Sequence, residues 1–175
     1  MKKILIVVDM QNDFIDGSLG TKEAIEIVPN VINKIISYEN DESVIYFTKD
    51  THFDNYLDSE EGKKLPVKHC IKGTNGWLIP SNILRSHQGH VVEKYTFGSK
   101  DLFDYLYKEY ANNPFESIEL IGLCTDICVI SNALLAKAYF PNIKIIVDES
   151  CCAGVTVDSH KKAINTMKMC QIEIN

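Results

Sequence analysis

The chain has 175 residues, with 18 Lys and Arg against 24 Asp and Glu and a formal net charge of −6. That length suits one domain over residues 1–175 and is enough to bury a core, while 45% hydrophobic and 24% charged residues exclude disorder as the dominant state. A pI near 5.3 argues against a nucleic-acid or anionic-membrane partner held by charge.

The first element is a strand, Lys3–Asp9, whose continuous β-rich run reads as buried on both faces. Its apolar stretch, Ile4 to Val8, is too short for a secretory core of about 7–15 residues or a membrane span of about 20, so a cytoplasmic location with no membrane partner is expected. Ala24–Tyr38 predicts a helix with Val28, Val31, Ile32, Ile35 and Ile36 on one face and Pro29 in its first turn. Ser43–Asp50 and His90–Lys94 are the next strands. Asp101–Tyr110 is a helix with a stripe of Leu102, Phe103, Leu106, Tyr107 and Tyr110. Ser117–Leu123 is a strand, Asp126–Phe140 an apolar helix stopped by Pro141, and Lys144–Glu149 a fifth strand. Val157–Met169 is the last helix and Gln171–Ile174 a terminal sixth strand. This alternation predicts an α/β fold: a mostly parallel six-stranded sheet between two helical layers.

Lys49–Pro80 breaks the rhythm. A stretch of that length with weak periodicity inside a compact domain is usually functional. It carries Asp50, His52, Asp54, Asp58, Glu60, Glu61, His69 and Trp77, whereas Gly73 and Gly76 around Asn75 read only as a turn.

In open α/β sheets, ligands bind beyond the carboxyl ends of the strands. Asp9, Lys94 and Cys128 sit near such ends. Cys128 falls in the first turn of a helix, where free N–H groups and the helix dipole favour a thiolate and can hold an oxyanion. Position alone also fits an inert core cysteine. Asp9, at the mouth of a buried strand, suits general acid–base work but equally a turn. A buried Lys94 would lower a neighbouring thiol's pKa; a surface lysine would do nothing. Asp50 and His52, alternate residues of an extended segment, can face one ion, and a Glu with His69 could complete a Zn, Fe or Mn site. The other cysteines, Cys70, Cys124, Cys151, Cys152 and Cys170, include no C-x-x-C pair, and in a reducing compartment read mainly as small buried hydrophobes.

Taken together, the chain resembles the isochorismatase-like cysteine hydrolase family, most closely its nicotinamidase branch. The carriers are Asp9-Met-Gln-Asn-Asp13-Phe14, Asp50-Thr-His52, His69-Cys70, Glu93-Lys94 and Gly122-Leu-Cys124-Thr-Asp126-Ile-Cys128-Val. The ordered set is specific; no single piece is. The resemblance implies an Asp9–Lys94–Cys128 triad acting on an amide through a thioester, and an oxyanion hole of backbone N–H groups at Cys124 and Cys128. It also implies a cis peptide at Leu123–Cys124 and a divalent ion, Zn first and Fe or Mn next, held by Asp50, His52 and His69. Of the two adjacent acids, Glu61 rather than Glu60 is the expected fourth ligand. In nicotinamidases that ion coordinates the pyridine nitrogen of the substrate. The chain departs from the branch at Tyr95-Thr-Phe97-Gly98-Ser99 after the lysine and at Pro66, where some relatives carry a tryptophan. Phe14, Tyr95 and Trp77 are the candidate aromatic contacts to a planar substrate.

The expected activity is hydrolysis of nicotinamide to nicotinate and ammonia. The first alternative is a relative acting on a carbamoyl, ureido or aliphatic amide; those relatives generally lack the metal ligands. A non-catalytic binding protein on this fold is a second, marked by an unreactive Cys128, and a thiol-redox protein a third. Isochorismate hydrolysis is disfavoured because that branch does not need the cysteine. The sequence leaves a monomer and a homo-oligomer both open.

Overall fold

A computed structural model describes residues 2–39, 42–84 and 89–175. Its strands are β1 (Lys2–Val8), β2 (Ser43–Asp50), β3 (Gly89–Lys94), β4 (Phe115–Leu123), β5 (Lys144–Ala153) and β6 (Glu173–Ile174). They form one six-stranded sheet in the order β3-β2-β1-β4-β5-β6, and each described pairing is parallel.

The apolar run of β1 follows from burial on both sides. Ile4, Ile6 and Val8 join one core, and Leu5 and Val7 join the other, because alternate side chains of a strand point to opposite faces. The helices are α1 (Asn12–Ile15), α2 (Lys22–Glu26), α3 (Val28–Ser37), α4 (Glu60–Lys64), α5 (Lys100–Tyr110), α6 (Ile130–Tyr139) and α7 (Val157–Met169). Against the first face pack Leu102, Phe103 and Leu106 of α5, Ala133 and Ala136 of α6, and Ile164 and Met167 of α7. Against the second pack Val31 and Ile35 of α3, with Ile15 and Ala24 from α1 and α2. The expected three-layer α/β/α architecture is what forms. Among the described residues, no helix is long and apolar enough to cross a membrane.

Four elements differ from expectation for local reasons. The helix expected over 24–38 is two, α2 and α3, joined at Ile27. Pro29 has no N–H to return to a preceding turn, so it fits only the first turn of α3. Ile36, expected on the buried stripe, is exposed at its margin. The helix expected from Asp126 opens one residue earlier with a wide π turn, Thr125–Val129, in which the Val129 N–H reaches back to the Cys124 carbonyl at 3.0 Å. Strand β5 runs on to Ala153, because a register shift between Leu120 and Gly122 lets Cys152 and Ala153 pair with Gly122 and Leu123. Within the long 49–80 stretch lie a 3-10 turn at Tyr56–Asp58, the helix α4 capped by Ser59, and a parallel bridge between His52 and Ile71.

Strand order reverses between β1 and β4: the chain winds outward from β1 through β2 to β3, then restarts at β4 and winds the other way. Such a switch point opens a crevice at the carboxyl ends of the two strands. Asp9 leaves β1 there, and Cys124 to Cys128 leave β4 beside it.

Candidate active site

Asp9 is fully buried and adopts φ +47°, a left-handed conformation uncommon for a residue with a side chain and frequent at functional sites. The backbone approach beside it is close: a Cβ on Gly122, itself at φ +116°, would sit 2.2 Å from the Val8 carbonyl oxygen. Asp9 Oδ1 accepts a hydrogen bond from Thr48 Oγ1 at 2.6 Å, and Oδ2 lies 2.6 Å from Lys94 Nζ. Lys94 starts from the end of β3 and reaches over β2. Its ammonium, also buried, lies 3.2 Å from Asp50 Oδ1 and 3.5 Å from Cys128 Sγ. An ammonium has three donors, and Asp9, Asp50 and Cys128 each take one direction.

Burial dominates the protonation of this group. It pushes the Asp9 carboxyl above the usual range, although Lys94 pulls the other way. It pushes the Cys128 thiol well up, the Asp9 charge adds to that, and Lys94 only opposes it. Burial pulls the Lys94 ammonium down, but Asp9, Cys128 and Asp50 outweigh it and hold it well above its usual range. Lys94 lowers the thiol pKa as expected, but desolvation together with the Asp9 charge outweighs it and leaves the thiol above its usual range. The geometry places the Cys128 sulfur and the Asp9 carboxyl on one fixed cation, Lys94.

The Leu123–Cys124 peptide is cis. Cys124 precedes the π turn in an extended conformation, and its carbonyl accepts from Ile127 and Val129. Cys128 lies in that first turn. No cysteine among the six is in a disulfide. Burial raises the thiols of Cys70 and Cys152, that of Cys151 to about 11 and that of Cys124 to about 12, as it does that of Cys128; what sets Cys128 apart is its place 3.5 Å from Lys94 Nζ.

Asp50, His52, Glu61 and His69 come together on the far side of Lys94, with one ligand atom of each within 4.8 Å of all the others. Glu61 Oε1 is 3.6 Å from both His52 Nε2 and His69 Nε2, and Asp50 Oδ2 is 3.7 Å from His69 Nε2 and 2.9 Å from His52 Nε2. A tetrahedral ion with arms of about 2.0–2.2 Å needs donors about 3.3–3.6 Å apart, which three of these separations approach. His69 Nδ1 lies 2.8 Å from the Val67 carbonyl, a bond that turns the Nε2 lone pair into the cluster. The ring of Tyr56 packs edge-on to both imidazoles. Two imidazoles and two carboxylates are a fitting donor set for a divalent ion such as Zn, Fe or Mn. Glu60, by contrast, is exposed and pairs with Lys63.

A cavity of about 600 Å³ joins the two groups. Asp50, Glu61, His69, Cys124 and Cys128 line it, with Phe14, Leu65, Tyr95, Phe97 and Ile127 among its apolar walls. The Phe14 ring centroid is 5.5 Å from that of His69, and Tyr95 stacks on Phe53 at the rim. Trp77 does not line the cavity, which corrects its assignment as a substrate contact. Its indole N–H donates to Thr51 Oγ1 and its face carries the Lys49 ammonium 2.9 Å from the ring centroid.

An isochorismatase-domain profile matches residues 3–174. The chain belongs to the isochorismatase family. Its fold superposes with a TM-score of 0.84 on the nicotinamidase PncA from Bacillus subtilis, at 25% identity over 99% of each chain. It superposes equally, at 0.84, on a pyrazinamidase from Pyrococcus horikoshii solved in complex with zinc, at 24% identity over 100% of this chain and 99% of the other. An N-carbamoylsarcosine amidase from Thermoplasma acidophilum gives 0.80, at 27% identity over 100% of this chain and 96% of the other.

In this isochorismatase-family chain, three contributors carry no signal that sequence reading could use. Thr48 orients Asp9 but looks like any strand threonine. Tyr56 supports both imidazoles from a loop position. His160 Nδ1, on α7, lies 2.8 Å from Thr125 Oγ1, next to Cys124, and no spacing rule links residues so far apart in sequence.

Proposed function

We propose that the protein is a cysteine amidohydrolase that converts nicotinamide to nicotinate and ammonia. One observation carries this reading: the Lys94 ammonium lies within hydrogen-bonding reach of Asp9, Cys128 and Asp50, so a nucleophile with its base adjoins a metal-ligand set in one cavity. Asp9 takes the thiol proton as the Cys128 sulfur attacks the amide carbonyl. The backbone N–H groups of Cys124 and Cys128 hold the resulting oxyanion. On collapse, the carbon–nitrogen bond breaks and the amine leaves as ammonia with the proton from Asp9. Asp9 then takes a proton from water, whose oxygen attacks the thioester; the acid is released and the sulfur regains its proton from Asp9. Lys94 stays charged throughout and balances the negative charge as it moves between Asp9 and the sulfur.

Asp50, His52, His69 and Glu61 would hold a divalent ion, for which zinc suits the mixed imidazole–carboxylate donors best. When bound, such an ion supplies a Lewis-acid position beside the nucleophile. Phe14 and Tyr95 would pack on a planar ring. The nicotinamidase relative supports the amide reading, the zinc-bound pyrazinamidase is in keeping with the metal, and free thiols fit a reducing cytoplasm.

The carbamoyl-amidase relative favours a second reading, a carbamoyl substrate; the four-residue ligand set favours the first. Ammonia release from nicotinamide, pyrazinamide, benzamide and N-carbamoylsarcosine separates them. Nicotinamide and pyrazinamide should turn over. Benzamide, which lacks the ring nitrogen, should be slower by about 10² or more, since sites built for a polar contact reject analogues by up to about 10⁴–10⁵. Equal rates on benzamide and nicotinamide, or preference for N-carbamoylsarcosine, would overturn the assignment.

A further inference from the structure

Two polar residues of the segment after β1, Gln11 and Asp13, are absorbed by neither the nucleophile nor the ligand set, yet both reach toward the metal ligands. Gln11 is fully buried. Its Oε1 accepts the Asp50 N–H at 2.7 Å, and its Nε2 donates to the Asp50 carbonyl at 2.9 Å and to the Trp77 carbonyl at 3.0 Å. Both donors of the amide and its acceptor are thus in use. The paired register of β1 with β2 ends at Val7–Phe47, and Asp9 turns the backbone away at φ +47°. Past that point the Gln11 amide takes the place of a strand neighbour for Asp50, whose backbone groups face β1 while Thr51 N–H faces Lys94 on β3. Without it, Asp50 would have two buried backbone groups unpaired.

Asp13 does the equivalent for the other arm. Its Oδ2 accepts the Cys70 N–H at 2.7 Å, so the peptide immediately after His69 is fixed to it. Cys70 sits at φ +47° and its carbonyl in turn accepts the His52 N–H at 3.0 Å. The contact is close-fitting: a Cβ on Gly76 would fall 2.1 Å from Asp13 Oδ2.

We propose that Gln11 and Asp13 are positioning residues for the divalent-ion site, setting Asp50, His52 and His69 in register with Asp9 from a single short segment. This rests on the metal reading above. It gives Asp9-x-Gln11-x-Asp13 one physical role: Asp9 faces Cys128, and the next two alternate residues hold the ligands.

The test is the dissociation constant for Zn²⁺, measured by competition with a chromophoric chelator on the full chain, together with Tm and the rate of Cys128 alkylation in metal-free protein. Outer-shell partners of metal ligands are typically worth about 10–100-fold in affinity. Gln11→Met and Asp13→Ala should each weaken Zn²⁺ binding by that amount. Asp13→Asn keeps an oxygen for the Cys70 N–H and should recover most of the loss; Gln11→Glu keeps the Asp50 N–H contact but loses both donors and should fall between. Asn12→Ala removes an exposed tether to the Asn75 carbonyl in the same segment and should bind Zn²⁺ like the wild type. Alkylation of Cys128 should stay within about two-fold throughout, because neither residue touches it. If Gln11→Met or Asp13→Ala does not fold, Gln11→Glu and Asp13→Asn carry the comparison. Wild-type protein that binds Zn²⁺ while the variants bind it equally well, with only Tm lowered, would reduce the two residues to structural supports and overturn the proposal. Wild-type protein that binds no Zn²⁺, Fe²⁺ or Mn²⁺ would instead overturn the metal reading on which it stands.

Discussion

At Asp9 three features meet in one side chain: a left-handed backbone, complete burial and a direct contact with Lys94. Asp9→Asn keeps the shape and the Thr48 contact but cannot accept the thiol proton. Ammonia release should fall by about 10²–10⁴, the usual worth of one general acid–base group. Cys128→Ala should abolish turnover while Tm moves little, since only the sulfur leaves a nearly buried site and the core around it is otherwise unchanged. Cys124→Ala and Cys70→Ala should retain activity, because alanine keeps the Cys124 backbone N–H assigned to the oxyanion and the Cys70 N–H that bonds to Asp13. Substantial turnover by the Cys128→Ala variant would remove the nucleophile assignment. At this scale the sequence was informative about Asp9, Lys94 and Cys128 because each lies just past a strand whose apolar run is plain. It could not give the direction of the thiol shift, which depends on how dry the site is once folded, nor the place of Trp77, which Lys49 and Thr51 hold away from the cavity.

Between elements, the link from α3 to the sheet is electrostatic as well as apolar. Lys34 Nζ lies 2.8 Å from Glu119 of β4 and 2.7 Å from Asp148 of β5, and Tyr38 also bonds to Glu119. Burial alone would raise the Asp148 carboxyl, but Lys34 and Ser150 outweigh it and hold it below the usual range. Burial alone would lower the Lys34 ammonium, but Asp148 and Glu119 hold it above the usual range. A depressed carboxyl stabilises the fold fully above its unfolded pKa and loses that share as pH falls through its folded value. A raised ammonium stabilises fully below its unfolded pKa and loses its share only as pH rises through its folded value. Near neutral pH both shares are present. Lys34→Met should therefore cost about 1–3 kcal/mol at pH 7, less than the 3–5 of a fully buried pair because Lys34 is partly solvated. The gap to wild type should narrow below about pH 4, as carboxylates protonate. Urea titrations at pH 7 and pH 3.5 check this; an equal gap at both would refute it. The same region shows what periodicity conceals: the apolar stripe of residues 24–38 was legible, but the break at Ile27 was not, because hydrophobic spacing runs unbroken across a residue that only Pro29 makes non-continuable.

At the scale of the whole molecule, alternation of strands and helices was enough to expect a parallel three-layer fold, and the switch between β1 and β4 explains why residues from four separate strands share one crevice. The four residues of the ligand set, Asp50, His52, His69 and Glu61, were all expected from the sequence and its resemblance, but not the path that joins them: Glu61 meets His52 and His69 through the turn at Tyr56–Asp58 and the capped start of α4, which leave a weak mark in sequence. Bound metal stabilises the native state by about 2.7 kcal/mol at 100 times its Kd. For a chain of this size that is about 5–11 °C in Tm, so chelation should lower Tm by such an amount and excess Zn²⁺ should restore it; an unchanged Tm would argue against a resident ion. The covalent step is tested most directly by acid-quenching the enzyme during turnover of nicotinamide and weighing the peptide that contains Cys128. That peptide should gain one nicotinoyl group, absent from Cys128→Ala and lost as substrate is exhausted. Steady ammonia release with no acyl group on Cys128, undiminished in Cys128→Ala, would contradict a thioester mechanism at this site.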